Sequence, residues 1–272
     1  MKIGCCLPGG SFMPQGVGEI TTTKDILLAG YRAVKAAGYD YAETSVGMVM
    51  KLTDEEFAEL VELHKAGEFT IETCNSFIPA TYQVTDPAQL PALEEFVTKA
   101  MGRMAALGVE FVVFGSGGAR KMPMVDTMAE LAAIDEFLKM CDRVGEKTGI
   151  TVVIEPLNKG ETNIFNSVSA GASLVRRLNL PHVKLLADAF HMLLENDNLL
   201  SIEENADILC HTHLASGQSR LCPSAEGDEY LADFGKHLQA AGYTHRVSIE
   251  CRYKDFVKDI AEAYPFMRKT YA

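Results

Sequence analysis

The segments TVVIE (151–155), VKLLAD (183–188), ILCHTH (208–213) and VSIE (247–250) decide the fold of this chain. Each is a short apolar run, rich in β-branched or aliphatic residues, that ends in a polar residue. The runs recur at about the 30-residue spacing of a βα unit. Near-continuous apolar strands are typical of a parallel sheet that is covered by helices on its faces. The pattern therefore predicts consecutive βα units.

The same alternation of strand and helix runs through the rest of the chain. KIGCCL (2–7) is typical of a first strand, Gly38 is expected to end the first helix, and Thr53 begins a capping-box signature. A long amphipathic helix is expected over about 124–148. The 272 residues suit about eight alternations in one (β/α)8 barrel, whereas the G-x-G-x-x-G of a doubly wound open sheet is missing. We therefore predict a single TIM-barrel domain over residues 1–272.

Composition and charge exclude several classes of protein. A net charge of −12 disfavours binding to nucleic-acid phosphates, which needs clustered Lys and Arg. The seven cysteines include no C-x-x-C pair, which favours a reducing compartment, and we interpret Cys74 and Cys251 as buried thiols. No signal-peptide pattern and no apolar run near the ~18 residues of a membrane span is present. We expect a cytoplasmic protein without nucleic-acid or membrane partners.

The four apolar runs end at or near residues that metals favour, namely Glu155, Asp188, His213 and Glu250. In a barrel, the carboxyl ends of all strands meet on one face, so these side chains are expected to converge. For any one of them alone, a capped loop carboxylate or a hydrogen-bonded core histidine is an equally good interpretation. Three carboxylates and one imidazole suit Mn²⁺, Mg²⁺ or Co²⁺ better than a closed tetrahedral zinc site. We predict one divalent ion at this face, with Mn²⁺ preferred.

Four motifs carry a resemblance to a known family: IEPLN (154–158), DAFHM (188–192), HTH (211–213) and IE (249–250). Together they resemble the D-tagatose 3-epimerase, or ketose 3-epimerase, branch of the xylose-isomerase-like superfamily. The resemblance implies the same four metal ligands. It also implies substrate contacts at Glu161, His191 and Arg220, a small sugar as substrate, and a homo-oligomer that is a dimer or a tetramer.

For the sugar substrate that the resemblance implies, one metal ion and two carboxylates are typical of a site that exchanges a proton next to a ketone. An ion bound to a carbonyl oxygen and an adjacent hydroxyl acidifies the neighbouring carbon by stabilising the cis-enediolate. Glu155 and Glu250 would then exchange that proton on opposite faces and invert one carbon. His191 and Arg220 would polarise or neutralise the developing oxyanion, and Glu161 would orient a terminal hydroxyl.

Three further features have two interpretations each. Of the two histidines in HTH, we expect only one to enter the barrel mouth, and the family motif favours His213 over His211. Glu43 either contacts substrate or orients a metal-bound group, or it forms a salt bridge in a loop or helix cap. The loop GSGGARK (115–121) is either a phosphate nest, with charge from Arg120 and Lys121, or a tight turn. Because the chain has no tryptophan, an aromatic wall for a sugar would come from Phe12, Phe77, Phe165 or Tyr82.

The sequence leaves four functions to distinguish. The leading prediction is a metal-dependent epimerase or isomerase of a ketose or keto-sugar. An aldose–ketose isomerase or an inosose-type dehydratase would use the same carboxylates on another carbon. A C-glycoside lyase that acts on 3-oxo-glycosides would need a small partner subunit, and a noncatalytic sugar binder would gain nothing from two opposed carboxylates. DNA-repair endonucleases of the same superfamily need a basic face, which a charge of −12 disfavours.

Overall fold

Parallel strands close into a barrel in this protein. The computed structural model describes residues 1–10, 13–20, 22–226 and 228–272. Each strand pairs with the next one along the chain, and the last strand pairs with the first, which confirms the predicted (β/α)8 fold. In chain order, β1 to β8 are Lys2–Cys6, Tyr41–Ser45, Ile71–Asn75, Phe111–Phe114, Thr151–Ile154, Val183–Asp188, Leu209–Leu214 and Arg246–Ile249.

Helices follow the strands. In chain order, α1 to α11 are Thr23–Ala37, Val46–Lys51, Asp54–Lys65, Leu90–Ala105, Gly117–Arg120, Thr127–Thr148, Val168–Leu178, Ala189–Glu195, Leu200–Glu204, Glu229–Ala240 and Phe256–Tyr271. A 3₁₀ turn, Pro87–Gln89, precedes α4. The sequence analysis missed α2, α5 and α8 because helices of one or two turns show no periodicity. Within the described residues, no helix is long and apolar enough to cross a lipid bilayer.

Local signals in the sequence set several helix ends. Thr53 accepts a hydrogen bond from the backbone N–H of Glu56, and the Glu56 carboxylate accepts one from the backbone N–H of Thr53, which confirms the capping box. Gly38 ends α1 with a φ of 99°, in the left-handed region that glycine favours. Helix α6 begins later than expected, at Thr127, because the Asp126 side chain caps it there.

Side chains fill the inside of the barrel in layers. Residues two apart on a strand face the same side, so Tyr41 and Glu43 on β2 both point inward. The Glu43 carboxylate accepts hydrogen bonds from Thr73 Oγ1 at 2.8 Å and from Ser248 Oγ at 2.7 Å. His211 Nε2 lies 2.9 Å from the same carboxylate. One layer lower, the Tyr41 hydroxyl lies 2.7 Å from Ser248 Oγ. The interior is therefore a packed core, with functional residues at its upper end.

A side chain at position 4, near the lower end of the barrel, is expected to overpack the core. Gly4 faces the ring of Tyr41, and a Cβ at Gly4 would lie 2.2 Å from Tyr41 Cζ. We expect Gly4→Ala to lower the free energy of unfolding by about 1–3 kcal/mol, because the overpacked ring has to move. Gly102, in α4, meets open space, so Gly102→Ala is expected to stabilise the protein by up to about 1 kcal/mol. Urea unfolding of both variants checks this, and equal effects would contradict it.

Candidate metal centre and substrate cleft

Side chains from four consecutive strands meet at the carboxyl end of the barrel. Glu155 follows β5, Asp188 ends β6, His213 lies in β7 and Glu250 follows β8. One potential ligand atom from each lies within 4.8 Å of the other three, and all four residues are buried. The structure therefore brings together the four residues that the sequence predicts as metal ligands.

His213 is oriented by contacts to both of its ring nitrogens. Nδ1 lies 3.2 Å from Glu155 Oε1 and 3.5 Å from Glu250 Oε2. Nε2 lies 2.9 Å from Glu43 Oε1, beneath the cluster. Burial by itself lowers the pKa of His213, but the charges of Glu43 and Glu250 raise that pKa well above its usual value. Nδ1 is therefore the nitrogen that faces the carboxylate cluster.

The position of His211, the other histidine of HTH, corrects one expectation. His211 and His213 both point into the barrel, and their ring centroids are 4.9 Å apart. The expectation that only one would enter was wrong, because residues two apart on a strand face the same side. The two rings differ in depth, since His211 Nε2 contacts Glu43 Oε2 from the layer below. His211 supports the cluster from beneath and is not one of its four members.

Glu43 lies under the cluster, and it does not belong to the described lining of the cleft above. Its side chain is fully buried, and its two carboxylate oxygens face His213 and His211. Burial by itself raises the pKa of Glu43, but the charges and hydrogen bonds of the two histidines hold that pKa well below its usual value. The prediction of a substrate contact is corrected, because this carboxylate cannot be reached from the cleft. The alternative, that Glu43 orients a metal-bound group, agrees with its contact to His213, a candidate metal ligand.

The charge of the cluster fits a divalent cation. Three carboxylates, from Glu155, Asp188 and Glu250, lie together in buried positions. Burial raises the pKa of Glu155, and the charge of Glu250 adds to this. Burial raises the pKa of Asp188 to about 7, with attraction to Arg220 opposing burial and repulsion from Glu155 adding to it. A divalent ion among these oxygens removes the repulsion and holds the carboxylates in their ionised form.

Arg220 lies against the cluster on the side of the cleft. Its guanidinium forms an ion pair with Glu250 and lies 3.5 Å from Asp188 Oδ2. Its Cζ is 4.6 Å from the centroid of the Phe190 ring. Glu161 Oε1 is 3.7 Å from the guanidinium. The backbone of Arg220 has a φ of 54°, which residues other than glycine rarely adopt. Backbone strain of this kind is typical of functional sites.

His191 presents a hydrogen-bond donor beside the cluster. Its Nδ1 lies 3.2 Å from the backbone nitrogen of Asn158, which can only donate, so Nδ1 accepts and Nε2 carries the proton. Nε2 lies 3.5 Å from Asp188 Oδ2 and has no hydrogen-bond partner among the described residues. Burial lowers the pKa of His191 well below its usual value, and the charge of Arg220 adds to this effect. The ring is therefore neutral at physiological pH.

A cleft of about 1230 Å³ opens above the cluster. Glu155 and Glu250 line its floor, and its walls include all three residues that the family resemblance predicts as substrate contacts: Glu161, His191 and Arg220. Small-molecule sites typically measure about 300–1,000 Å³, so this cleft has room for more than one small ligand group.

The segment GSGGARK does not form a phosphate nest that uses Arg120. The Arg120 side chain is fully buried, and its guanidinium donates to the backbone carbonyls of Phe114 at 3.0 Å and Glu155 at 2.6 Å. Arg120 therefore braces the ends of β4 and β5, and its buried guanidinium is engaged there and does not line the cleft. The segment contributes Gly117 and Gly118 to the cleft wall as part of the short helix α5.

Residues that the sequence analysis did not single out complete the site. Phe190, within DAFHM, lines the cleft, and Asn158, within IEPLN, fixes His191. Asn75, the last residue of β3, donates from Nδ2 to Glu250 Oε1 at 3.0 Å. Asn75 lies at a strand end, so the rule that found the four ligand candidates also applies to it. Among the expected aromatic walls, Phe12 lies outside the described residues, and the described lining of the cleft does not include Phe77, Phe165 or Tyr82.

The fold and the site define a (β/α)8 barrel protein with a cluster of carboxylates and one histidine at its mouth. Comparison with known proteins gives its family. Residues 31–270 match the family described as "Xylose isomerase-like TIM barrel", so the chain belongs to that family. It is 24% identical over 272 residues to the 3-dehydro-D-guloside 4-epimerase of Escherichia coli (strain K12), with 97% of this chain and 96% of that protein covered.

One further relative and one solved structure are similar to this chain. The ketose 3-epimerase of Arthrobacter globiformis is 29% identical over 168 residues, which cover 61% of this chain and 57% of that protein. The crystal structure of D-psicose 3-epimerase with D-tagatose, from Clostridium cellulolyticum H10, superposes with a TM-score of 0.83 at 20% identity and covers 99% of each chain. The last comparison shows that the two proteins share a fold.

Metal binding at this centre is expected to release protons. In the metal-free protein Asp188 has a pKa raised to about 7, so it holds a proton below that pH, and an ion has to displace it. The affinity for Mn²⁺ should therefore fall as the pH drops below neutrality, by about tenfold per pH unit for each displaced proton. Calorimetric titration in two buffers of different ionisation enthalpy counts the protons. An affinity that is constant from about pH 5.5 to about pH 7.5 would contradict this expectation.

The contact between His213 and Glu43 predicts that Glu43 positions the histidine. Glu43→Gln keeps the size of the side chain but removes the ionised acceptor for His213 Nε2, so Nδ1 is no longer fixed toward the cluster. We expect the Kd for Mn²⁺ to rise roughly 10–100-fold, measured by calorimetry or by electron paramagnetic resonance. Thr73→Val is the matched control, because it removes one other hydrogen bond to the same carboxylate, and its effect should be much smaller. Equal Kd values for Glu43→Gln and the wild type would rule out this role.

Proposed function

We propose that this protein is a divalent-metal-dependent epimerase of a ketose or another keto-sugar. The observation that carries the proposal is the placement of Glu155 and Glu250. Both line the cleft beside His213, yet they extend from β5 and β8, which are separated by two strands of the barrel. Two carboxylates that reach one point from different directions can remove a proton from one face of a carbon and return one to the other. The epimerases among its relatives support the same class of reaction.

The proposed ligands of the ion are Glu155, Asp188, His213 and Glu250, with Mn²⁺ as the first candidate and Mg²⁺ or Co²⁺ as alternatives. Oxygen-rich donor sets of this kind suit these ions. When bound, the ion polarises the ketone of the sugar and makes the proton on the neighbouring carbon easier to remove.

The side chains around the reacting carbon divide the remaining work. One of Glu155 and Glu250 removes the proton, and the other returns a proton to the opposite face of the cis-enediolate, which inverts the carbon. Burial by itself raises the pKa of Glu155, whereas a bound ion would keep its carboxylate ionised and so able to accept a proton. Neutral His191 donates its Nε2–H to the developing oxyanion, and the charge of Arg220 balances it. Glu161, at the cleft wall, orients a terminal hydroxyl.

The size of the cleft favours a second substrate class beside free ketoses. Its volume of about 1230 Å³ leaves space beyond a single small ligand. A relative that matches the chain over nearly its whole length is named for a dehydro-guloside, which is a glycoside. We therefore propose keto-glycosides as alternative substrates, with inversion at a carbon next to the ketone in both cases.

Proton NMR in D₂O tests the proposal, with Mn²⁺-loaded and then chelated protein against ketoses, ketose phosphates and 3-oxo-glycosides. Deuterium at C3 of a ketose, together with its epimer, supports the 3-epimerase, and the same result next to the ketone of a 3-oxo-glycoside supports the glycoside epimerase. Exchange at C1 or C2 indicates an aldose–ketose isomerase. Loss of water indicates an inosose-type dehydratase, and loss of an aglycone indicates the C-glycoside lyase. Sugar binding without any exchange indicates a noncatalytic binder.

Three expectations on organisation and location stay predictions. They are a single domain over residues 1–272, a cytoplasmic location, and a homo-oligomer that is a dimer or a tetramer. The net charge of −12 continues to argue against a nucleic-acid partner.

Loss of either opposed carboxylate should abolish most of the turnover. We expect Glu155→Gln and Glu250→Gln each to lower kcat roughly 10²–10⁴-fold, because each removes one proton-transfer group. Mn²⁺ binding measured on the same samples separates loss of the base from loss of the metal. Glu161→Gln is the matched control in the same cleft and should change KM more than kcat. If either Glu155→Gln or Glu250→Gln kept turnover within a few-fold of the wild type, the assignment would be wrong.

A further inference from the structure

A thiol lies beside the proposed metal centre and has no part in the reaction described above. Cys6 is the last residue of β1, and it pairs in register with Glu43 of β2. Its side chain is fully buried. Its sulfur, a nitrogen of His213 and a carboxylate oxygen of Glu250 all lie within 4.8 Å of one another. The sequence suggests only a core cysteine here, because Cys6 lies in an apolar strand.

The sulfur of Cys6 is held in place by the same residue that holds Glu250. Asn75 Nδ2 lies 3.4 Å from Cys6 Sγ and 3.0 Å from Glu250 Oε1, so one amide donates to both groups. The backbone carbonyl of Cys6 also accepts a hydrogen bond from the Tyr253 hydroxyl at 3.1 Å. Cys6 is therefore positioned by specific polar contacts, which a cysteine that only fills space does not need.

A sulfur donor attracts different metal ions from an oxygen donor. Mg²⁺ and Mn²⁺ prefer oxygen ligands, whereas thiolates favour softer ions such as Zn²⁺. Zinc binds sulfur at about 2.3 Å and histidine nitrogen at about 2.0–2.1 Å, so its tetrahedral ligands lie roughly 3.5 Å apart. Cys6, His213 and Glu250 reach that spacing if their side-chain ends move by roughly 1 Å, and together they supply the sulfur, nitrogen and oxygen donors that zinc accepts.

We propose that Cys6 gives the centre a second binding mode, in which Zn²⁺ or Cd²⁺ is held by Cys6, His213 and Glu250. This inference rests on the metal centre proposed above. Cys6 binds the ion as the thiolate, and its proton passes to water. In this mode the ion lies toward β1 and away from Glu155 and Asp188, where it is poorly placed to polarise a substrate. Thiophilic ions are therefore inhibitory, and Cys6 makes the centre discriminate between ions by donor type.

Metal titrations of the wild type and of Cys6→Ser test this selectivity without any substrate. Serine keeps the shape of the side chain and replaces sulfur by a hard oxygen. We expect the Kd for Zn²⁺ to rise by roughly tenfold or more, while the Kd for Mn²⁺ changes by less than about twofold. Equal changes in the two Kd values, or an unchanged Kd for Zn²⁺, would overturn the proposal.

Cys74→Ser is the matched control. Cys74 and Cys251 are fully buried, as predicted, and neither belongs to a cluster of potential ligands among the described residues. Cys74 lies on β3, next to Asn75, so its replacement disturbs the same region of the barrel without removing the proposed donor. It should leave the Kd values for both ions unchanged, and a loss of Zn²⁺ affinity equal to that of Cys6→Ser would overturn the proposal.

Spectroscopy of the Cd²⁺-loaded wild type tests the sulfur ligand even if Cys6→Ser fails to fold. A thiolate ligand produces a charge-transfer absorption in the ultraviolet and a strong downfield shift of the cadmium NMR signal. We expect both signatures in the wild type and in Cys74→Ser, and neither in Cys6→Ser. Cadmium binding without them overturns the sulfur mode and leaves the proposed epimerase standing. Failure to bind any divalent ion overturns both.

Discussion

Negative charge buried at the mouth of the barrel is the constraint on which the rest of the site depends. Glu43, Glu155, Asp188 and Glu250 place four carboxylates in a space with little water, and buried charges are costly unless they are paired. His213 offsets part of this charge from within the cluster, and Arg220 offsets part of it from the side of the cleft. Burial raises the pKa of Asp188 to about 7, so the metal-free protein reduces the excess by taking up a proton. A divalent ion achieves the same balance while it keeps the carboxylates available as ligands and bases.

The layer beneath the cluster gives this arrangement its rigidity. Glu43 accepts hydrogen bonds from Thr73 and Ser248 and contacts both His211 and His213, so its carboxylate is held by residues of three other strands of the barrel. Because neighbouring strands are joined by backbone hydrogen bonds, a histidine held from this layer has little freedom to turn. Contacts from the layer below keep a metal-binding residue in the orientation that the ion requires.

The centre and the cleft have separate tasks in the proposed reaction. The cluster at the strand ends determines which bond changes, because it contains the proposed metal ligands and proton-transfer groups. The walls of the cleft come mainly from loops and short helices such as α2, α5 and α8, which determine the size and shape of what can enter. Enzymes that share a barrel can therefore differ in substrate, as the names of the ketose and dehydro-guloside epimerases among the relatives illustrate.

The sequence by itself determined the barrel and the convergence of its four candidate ligands. Apolar runs of regular spacing leave few other folds, and in a closed parallel barrel all strand ends meet at one face. The depth at which each side chain lies, and the direction in which it points, were decided only by the tertiary structure. Both depend on the stagger between strands that are distant in sequence. Glu43 lies under the centre, Arg120 turns inward to backbone carbonyls, and Asn75 and Cys6 meet Glu250 across the join between the first and last strands. Local sequence specifies which residues stand at a strand end, whereas the closure of the sheet selects which of them touch.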